Sequence, residues 1–269
     1  MITDEHLKDK LIVEYFEKYG KKAIALRPHK SPTEIEKSKS KFGGKPNLNG
    51  FDKYPCCEHC GTPLNHVLQI YKSEFPDFYF PNDSTLFQIF RCPNPDCPDS
   101  FNEFHDFTTF YFYFIEKEIS ENKEFDKPVI ELEDYEEELR ECILKPEYII
   151  DLPSWGDYDQ QDVDRIIEKF GEDWFYDEFL LEYSSHPGSK INGYPTWIQG
   201  ANEVKCSCGE NKELFFQLSS EDVEDGVEYP PAPDNWSGHG LMIGDLGFMY
   251  FLVCKKCGSS SIEKQWECS

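Results

Sequence analysis

Apolar residues recur at helical spacing near the start of the chain: Leu7, Leu11, Ile12, Tyr15, Phe16 and Tyr19 fall on one face, and Gly20 stands where such a helix would stop. The pattern predicts an amphipathic N-terminal helix laid on the body of the protein. Residues 23–26 then read as a short strand stopped by Pro28, and residues 31–41, polar and basic, as a loop into Phe42-Gly43-Gly44. Denser apolar runs at residues 64–71 and 85–90 predict two strands joined by a polar excursion around residues 77–83. Residues 101–115, crowded with Phe and Tyr, predict the core of a sheet. Residues 120–140 are acidic, with Leu132, Tyr135 and Leu139 spaced as the packing side of an exposed helix. Pro146, Pro153 and Trp155 mark a bridge before two further helices, expected at residues 157–170, closed by Gly171, and at 172–183. Strand patterning returns at 214–218 and 248–253, either side of an acidic, turn-rich stretch at 221–240.

These segments repeat. Phe42-Gly43-Gly44-Lys45-Pro46-Asn47-Leu48 matches Ile191-Asn192-Gly193-Tyr194-Pro195-Thr196-Trp197, with both the second glycine and the proline 149 positions apart. Cys60-Gly61 and Val67-Leu68-Gln69-Ile70 match Cys208-Gly209 and Phe215-Phe216-Gln217-Leu218 at an offset of 148. Residues 87–92 parallel 249–254, each run ending on a cysteine. The expected architecture is α+β: a strand-rich, two-lobed pseudo-repeat with a zinc-knuckle insertion in each lobe, the lobes at residues 1–150 and 151–269. Each lobe would hold a Gly-x-Pro turn, a first knuckle, a strand with an internal Gln and a second strand delivering the remaining cysteines.

Charge narrows the partners. The 269 residues carry 27 Lys plus Arg against 52 Asp plus Glu, a formal charge of −25. Such a surface repels nucleic acid and anionic membranes and suits a basic protein segment. The first residues lack a basic start followed by an apolar run, and the longest aromatic stretch, 107–115, is too short to span a bilayer. The eleven cysteines occur in close pairs and are odd in number. With no export signal, these features predict reduced cytoplasm and metal-bound thiolates in place of a disulfide framework.

The cysteine spacing supplies the candidate chemistry. Cys57, Cys60, Cys92 and Cys97 are assigned to one structural zinc ion, and Cys206, Cys208, Cys254 and Cys257 to a second. Cys56 is an alternative to its neighbour Cys57, and His59 a weaker one. The single residue between Cys206 and Cys208 is shorter than the usual knuckle spacing. Four thiolates satisfy tetrahedral zinc and leave no position for a water nucleophile, which points to structure and away from catalysis. Cys142 and Cys268, with Cys56, fall outside the ligand sets. His186 and His239 lie near glycines in expected turns, where a structural hydrogen bond is the economical role. No His-Glu-x-x-His, Gly-x-Ser-x-Gly or Walker pattern occurs, and Pro46 after Gly43-Gly44 indicates a turn and not a phosphate loop. No catalytic or cofactor-binding residue is assigned.

The segments 41–48, 186–195, 214–218 and 244–251, in that order, resemble the YwqG-like domain of unknown function found mainly in bacterial proteins. The added cysteine knuckles look like the programmed-cell-death-2 and Tsr4 group. That resemblance implies a two-lobed α+β body and a chaperone-like role toward a basic client. The expected function is therefore a zinc-stabilised cytoplasmic protein-binding scaffold that takes neither nucleic acid nor membrane. The competing readings are a small-molecule enzyme or sensor using an inter-lobe cleft, and an immunity-type protein.

Overall fold

The computed structural model describes residues 9–81, 83–97, 109–116, 125–128, 139–200, 202–220 and 238–268. The N-terminal periodicity becomes helix α1, Lys10–Tyr19, with Ile12 and Tyr15 buried on its apolar face. Asp9 caps it, its carboxylate accepting the Leu11 amide at 2.9 Å and satisfying one of the free N–H groups of the first turn. Gly20 follows with an ordinary φ of −61°. What it supplies is space, since a Cβ there would lie 2.6 Å from the Phe16 carbonyl oxygen. The expected start of this helix at Leu7 lies outside the described residues.

The strands are β1 Lys21–Lys30, β2 Lys41–Phe42, β3 Asn65–Tyr71, β4 Leu86–Arg91, β5 Phe110–Ile115, β6 Cys142–Asp151, β7 Lys190–Asn192, β8 Glu213–Ser219, β9 Phe248–Cys254 and β10 Gly258–Glu267. They form one ten-stranded antiparallel sheet in the order β10-β9-β8-β7-β1-β6-β2-β3-β4-β5. At its centre β1 and β6 pair over their full length, from Lys21 opposite Asp151 to Lys30 opposite Cys142. Outward from that pair the order runs β6-β2-β3-β4-β5 on one side and β1-β7-β8-β9-β10 on the other. Each side carries a bulge between its third and fourth strands, at 66–68 in β3 and at 214–216 in β8.

The sheet curls until its two arms face one another. Phe87 of β4 lies 5.8 Å, centroid to centroid, from Phe251 of β9, and Phe112 of β5 lies 5.6 Å from the same ring. Lys264 of β10 donates to the Phe110 carbonyl at 2.6 Å, and Arg91 to the Met242 carbonyl at 2.6 Å. One apolar core therefore draws on both halves of the chain, with Phe42, Phe87, Phe215, Phe216 and Phe251 at 1% exposure or less. The rings meet in tilted and edge-to-face pairs, geometries that aromatic side chains favour in a packed interior.

A second apolar cluster is helical. α2, Gln160–Phe170, is capped by the Asp159 carboxylate and ends at Gly171, whose φ of +95° favours a residue without a Cβ. Residues 172–182 continue as α-helix at Glu172–Trp174 and Leu180–Glu182 around a π-helical turn at Phe175–Phe179. Together with α1 they enclose Ile12, Tyr15, Ile166, Phe175 and Phe179.

Two sequence expectations are corrected, and one strand stands where none was expected. β1 runs through Pro28 instead of stopping there, and the bridge containing Pro146 is a central strand, β6. Both prolines are tolerated for one reason: β7 accompanies β1 only at residues 23–25 and β2 accompanies β6 only at 142–143, so neither proline has to donate to a second neighbour. The stretch after Cys257 forms β10, which its Ser-rich composition concealed. The helix expected within 120–140 and the turn-rich stretch at 221–240 lie largely outside the described residues, as do residues 101–108 of the aromatic stretch. Among the described residues no helix is long and apolar enough to cross a membrane.

Candidate metal centres

The first cysteine group is built by a hairpin and a strand end. The Cys57 amide donates to the Thr62 carbonyl at 2.8 Å and the Gly61 amide returns to the Cys57 carbonyl at 2.9 Å. Gly61 turns the chain at φ +75°, which brings the Cys57 and Cys60 thiols to one side. Cys92 follows β4 directly, and Asn94 folds Cys97 back by accepting the Asp96 amide on its side chain and the Cys97 amide on its carbonyl. Cys57 and Cys97 then stand 3.7 Å apart through sulfur, Cys60 and Cys92 3.5 Å, and all four sulfurs lie within 4.8 Å of one another. Thiolates ~2.3 Å from a central zinc ion would be ~3.8 Å apart at the corners of a regular tetrahedron, so this separation fits a bound cation. All eleven cysteines are free of disulfides. Cys56 is not in the group; its thiol instead meets the Tyr54 carbonyl at 3.5 Å. His59 is not in the group either.

The second group uses the same ingredients on the other arm. Gly209, at φ +89°, lets its amide bond the Cys206 carbonyl at 2.9 Å, and the Cys206 amide bonds the Glu210 carbonyl at 2.9 Å. This tight turn accommodates the short Cys206-x-Cys208 spacing. Cys254 ends β9, Cys257 closes the turn, and Gly258 at φ +65° begins β10 opposite Cys254. Cys208 and Cys254 are 3.7 Å apart through sulfur, and the four sulfurs again lie within 4.8 Å of one another.

Two thiols in each group differ in how readily they ionise. For Cys60 burial opposes ionisation, but the hydrogen bonds around Thr62 outweigh it and bring the thiol down to about 6, whereas burial pushes Cys92 upward, its neighbours Cys60 and Cys57 adding to the effect. In the other group the Cys208 amide draws Cys206 down to about 6, while Cys208 and Cys206 push Cys257 up to about 12. Each group thus pairs a thiol that ionises readily with one that resists, and a divalent cation at the centre would favour the thiolate of both. Each tetracysteine group can hold a metal ion, and the full set of four protein sulfurs leaves no coordination position for substrate.

Two ion pairs made by buried lysines have no counterpart in the sequence reading. Lys41 on β2 and Lys190 on β7 are both fully buried; Lys41 meets Glu141 at 2.7 Å and Lys190 meets Asp151 at 2.9 Å. Beside them, the Gln69 and Gln217 side-chain oxygens accept the Asn47 and Thr196 amides at 3.0 and 2.9 Å. A Cβ on Gly44 or Gly193 would fall 2.1 Å from an oxygen of Glu141 or Asp151 respectively, so in both turns the backbone closes over the carboxylate. The signal lay in the repeat itself, where each lysine immediately precedes an aligned turn, but lysine is ordinarily read as exposed. His239 is 1% exposed and its Nδ1 accepts the Leu241 amide at 3.0 Å, a structural bond. His186 contributes backbone to the same network, its amide donating to Asp151 at 2.7 Å and its carbonyl accepting from Thr196. Neither His186 nor His239 belongs to a cysteine group.

Residues 40–257 match a family model described as a domain of unknown function, DUF1963, and the chain belongs to that family. This agrees with the YwqG-like resemblance. No curated protein matches the chain.

Proposed function

We propose that this member of the DUF1963 family is a non-catalytic protein-binding scaffold held by two structural zinc ions, one on Cys57, Cys60, Cys92 and Cys97 and one on Cys206, Cys208, Cys254 and Cys257, and that its client is a basic protein segment in the cytoplasm. The observation that carries the proposal is the closure of both groups, four sulfurs within 4.8 Å in each. Soft thiolates in that number favour zinc, and a complete shell favours a structural role. The formal charge of −25 supports the basic client, because an acidic surface accelerates encounter with cations and repels nucleic acid.

Residues 1–150 and 151–269 are read as copies of one unit. The mirrored strand order about the β1–β6 pair, the paired bulges and the two lysine–carboxylate contacts support that reading. Duplication with a knuckle in each copy is also what likens the chain to the programmed-cell-death-2 and Tsr4 group and gives the client role its chaperone-like character.

Two measurements test the proposal. Metal analysis of protein purified reduced and without chelator should return two zinc ions per chain; finding none would remove the scaffold reading. Titration with a fluorescent arginine-rich peptide should show binding that weakens as salt rises. Absence of binding at low ionic strength would remove the basic client while leaving the metal assignment standing.

A further inference from the structure

A cleft of about 660 Å³ where the two arms meet departs from the acidic surface. Lys21 and Lys22 enter it from the start of β1, Lys72 from just beyond β3, and Lys255 from the turn between β9 and β10. Two carboxylates, Asp77 and Glu213, line it as well. Glu213 is committed to Lys255 at 2.7 Å. Lys21, Lys22 and Lys72 have no carboxylate within ion-pair distance among the described residues. In a chain with roughly twice as many acids as bases, three cations without an acidic partner around one cavity form a local inversion of charge.

Lys21 is the most informative of them. It is half-buried, its ammonium sits 3.8 Å above the Tyr194 ring, and burial lowers its pKa from the ordinary lysine value. Glu213, Asp151 and Asp157 oppose that change from beyond ion-pair distance, and a cation drawn from water onto an aromatic face without a direct carboxylate contact is incompletely compensated. Lys72 likewise lies 5.8 Å above the Phe80 ring. The cleft is also held in shape. Asn192, a non-glycine residue at φ +62°, donates from its side chain to the Asp77 carbonyl at 3.0 Å and ties the 72–80 segment to β7. Its volume lies in the range of small-molecule sites, with Tyr79 and Phe80 as apolar wall.

We propose that this cleft binds a phosphate-bearing small molecule, its anionic oxygens met by Lys21, Lys22 and Lys72 and its apolar part by the aromatic wall. Lysine suits this ligand because a compact ammonium acts as a point charge toward phosphate oxygens. The other large cavity, about 810 Å³ beside Gly44 and Pro46, is lined by Lys37, Lys45 and Lys127, of which Lys45 is paired with Glu34 at 3.0 Å and Lys127 donates to the Asn65 side chain. The proposal does not depend on the zinc reading, and metal content is measured on every variant so that the two remain separable.

The test is isothermal titration of the full chain with pyrophosphate and with ATP. One equivalent of at least one probe should bind, and Lys21→Gln with Lys72→Gln should weaken it ~10-fold or more per lysine, the size of a lost charge-assisted contact. Lys45→Gln with Lys205→Gln removes the same charge elsewhere and should leave the affinity within about twofold. Lys72→Gln alone, at an exposed position, serves if the double variant does not fold. Failure of both probes to bind at about 1 mM, or equal weakening in the control pair, would overturn the proposal.

Discussion

Replacing Asp151 by alanine puts the buried network to its most direct test. Asp151 and Lys190 are both inaccessible to solvent in their side chains, 2.9 Å apart, and the carboxylate also accepts the His186 amide at 2.7 Å and the Tyr194 amide at 2.8 Å. Removing it strands an ammonium in a dry site, a change that costs ~3–5 kcal/mol, and orphans two amides at ~1–3 kcal/mol each before relaxation. These penalties overlap, so Asp151→Ala is expected to lose about 4 kcal/mol or more of a total that is commonly ~5–15 kcal/mol. Glu141→Ala makes the matched comparison: Lys41 is equally buried, but the Glu141 side chain is 21% exposed, so water reaches the vacated position and ~1–3 kcal/mol is expected. Lys190→Met removes the cation yet leaves Asp151 its two amide donors, and should cost less than Asp151→Ala. Equilibrium urea unfolding at fixed zinc activity measures all three, with unchanged slope confirming that stability alone has moved. The reasoning fails if Asp151→Ala unfolds within ~1 kcal/mol of the parent, or if Glu141→Ala proves the costlier change. The pH dependence supplies a further check. Burial lowers the Lys190 ammonium to about 8 from 10.5 although Asp151 opposes the change. Between those values the unfolded chain binds more protons than the folded one, so this lysine makes stability rise with pH across that window, and Lys190→Met should flatten that rise.

Cys57→Ser should halve the zinc content and loosen the hairpin that carries it, whereas Cys56→Ser should leave the content unchanged, as read by metal analysis and near-ultraviolet circular dichroism. Chelation should speed amide exchange at residues 54–64 and 204–212 well before it reaches the ten-residue β1–β6 pair at the centre of the sheet. Burial first, against the bond to the Gly43 carbonyl, lowers His66 to about 4 from 6.5. The unfolded chain then binds the extra proton between those values, so stability falls with acidification across that window, by about 3 kcal/mol at its lower end relative to His66→Gln, in unfolding curves collected at each pH. Phe87→Ala removes a fully buried ring that touches Phe114, Phe216 and Phe251, and should cost ~3–5 kcal/mol in the same assay.

Much of the fold was written in apolar periodicity, and the places where it was not have a common cause. β3, β4, β8 and β9 each carry a clean run of buried side chains, for example all seven residues of β9, and α1 and α2 bury residues at helical spacing, Ile12 with Tyr15 and Val163 with Ile166. The cysteines were legible because a knuckle needs its two sulfurs within one tight turn, which spacing records directly. Choosing Cys57 over Cys56 required the hairpin itself, since adjacent residues point to opposite sides of a strand-like segment. β6 was missed although it is central, because Glu147, Tyr148 and Ile150 face solvent and Pro146 interrupts the pattern. β10, with Ser259, Ser260, Glu263, Lys264 and Gln265, shows no apolar run for the same reason: only part of one face touches the core.

The polar residues inside the sheet answer a problem that the aromatic core creates. Rings such as Phe87, Phe215 and Phe251 hold the two arms together through area, and area tolerates many alignments. A strand shifted by one residue would turn its aromatic face outward, yet β3, β4, β8 and β9 are buried on both faces, so the apolar pattern penalises such a slip only weakly. Gln69 removes the ambiguity, because its oxygen must meet the Asn47 amide while its nitrogen meets the Lys37 and Lys39 carbonyls at 2.8 and 2.6 Å. Gln217 does the same with the Thr196 amide and the Gly188 carbonyl at 2.9 and 3.0 Å. A slipped register would bury those donors and acceptors unpaired, at ~1–3 kcal/mol apiece, and would carry the lysines away from Glu141 and Asp151. Burial closes the sheet, the amides and ion pairs set its alignment, and the cysteine groups lie beyond that alignment, at the ends of β4 and β9, where they fasten each arm to its own hairpin.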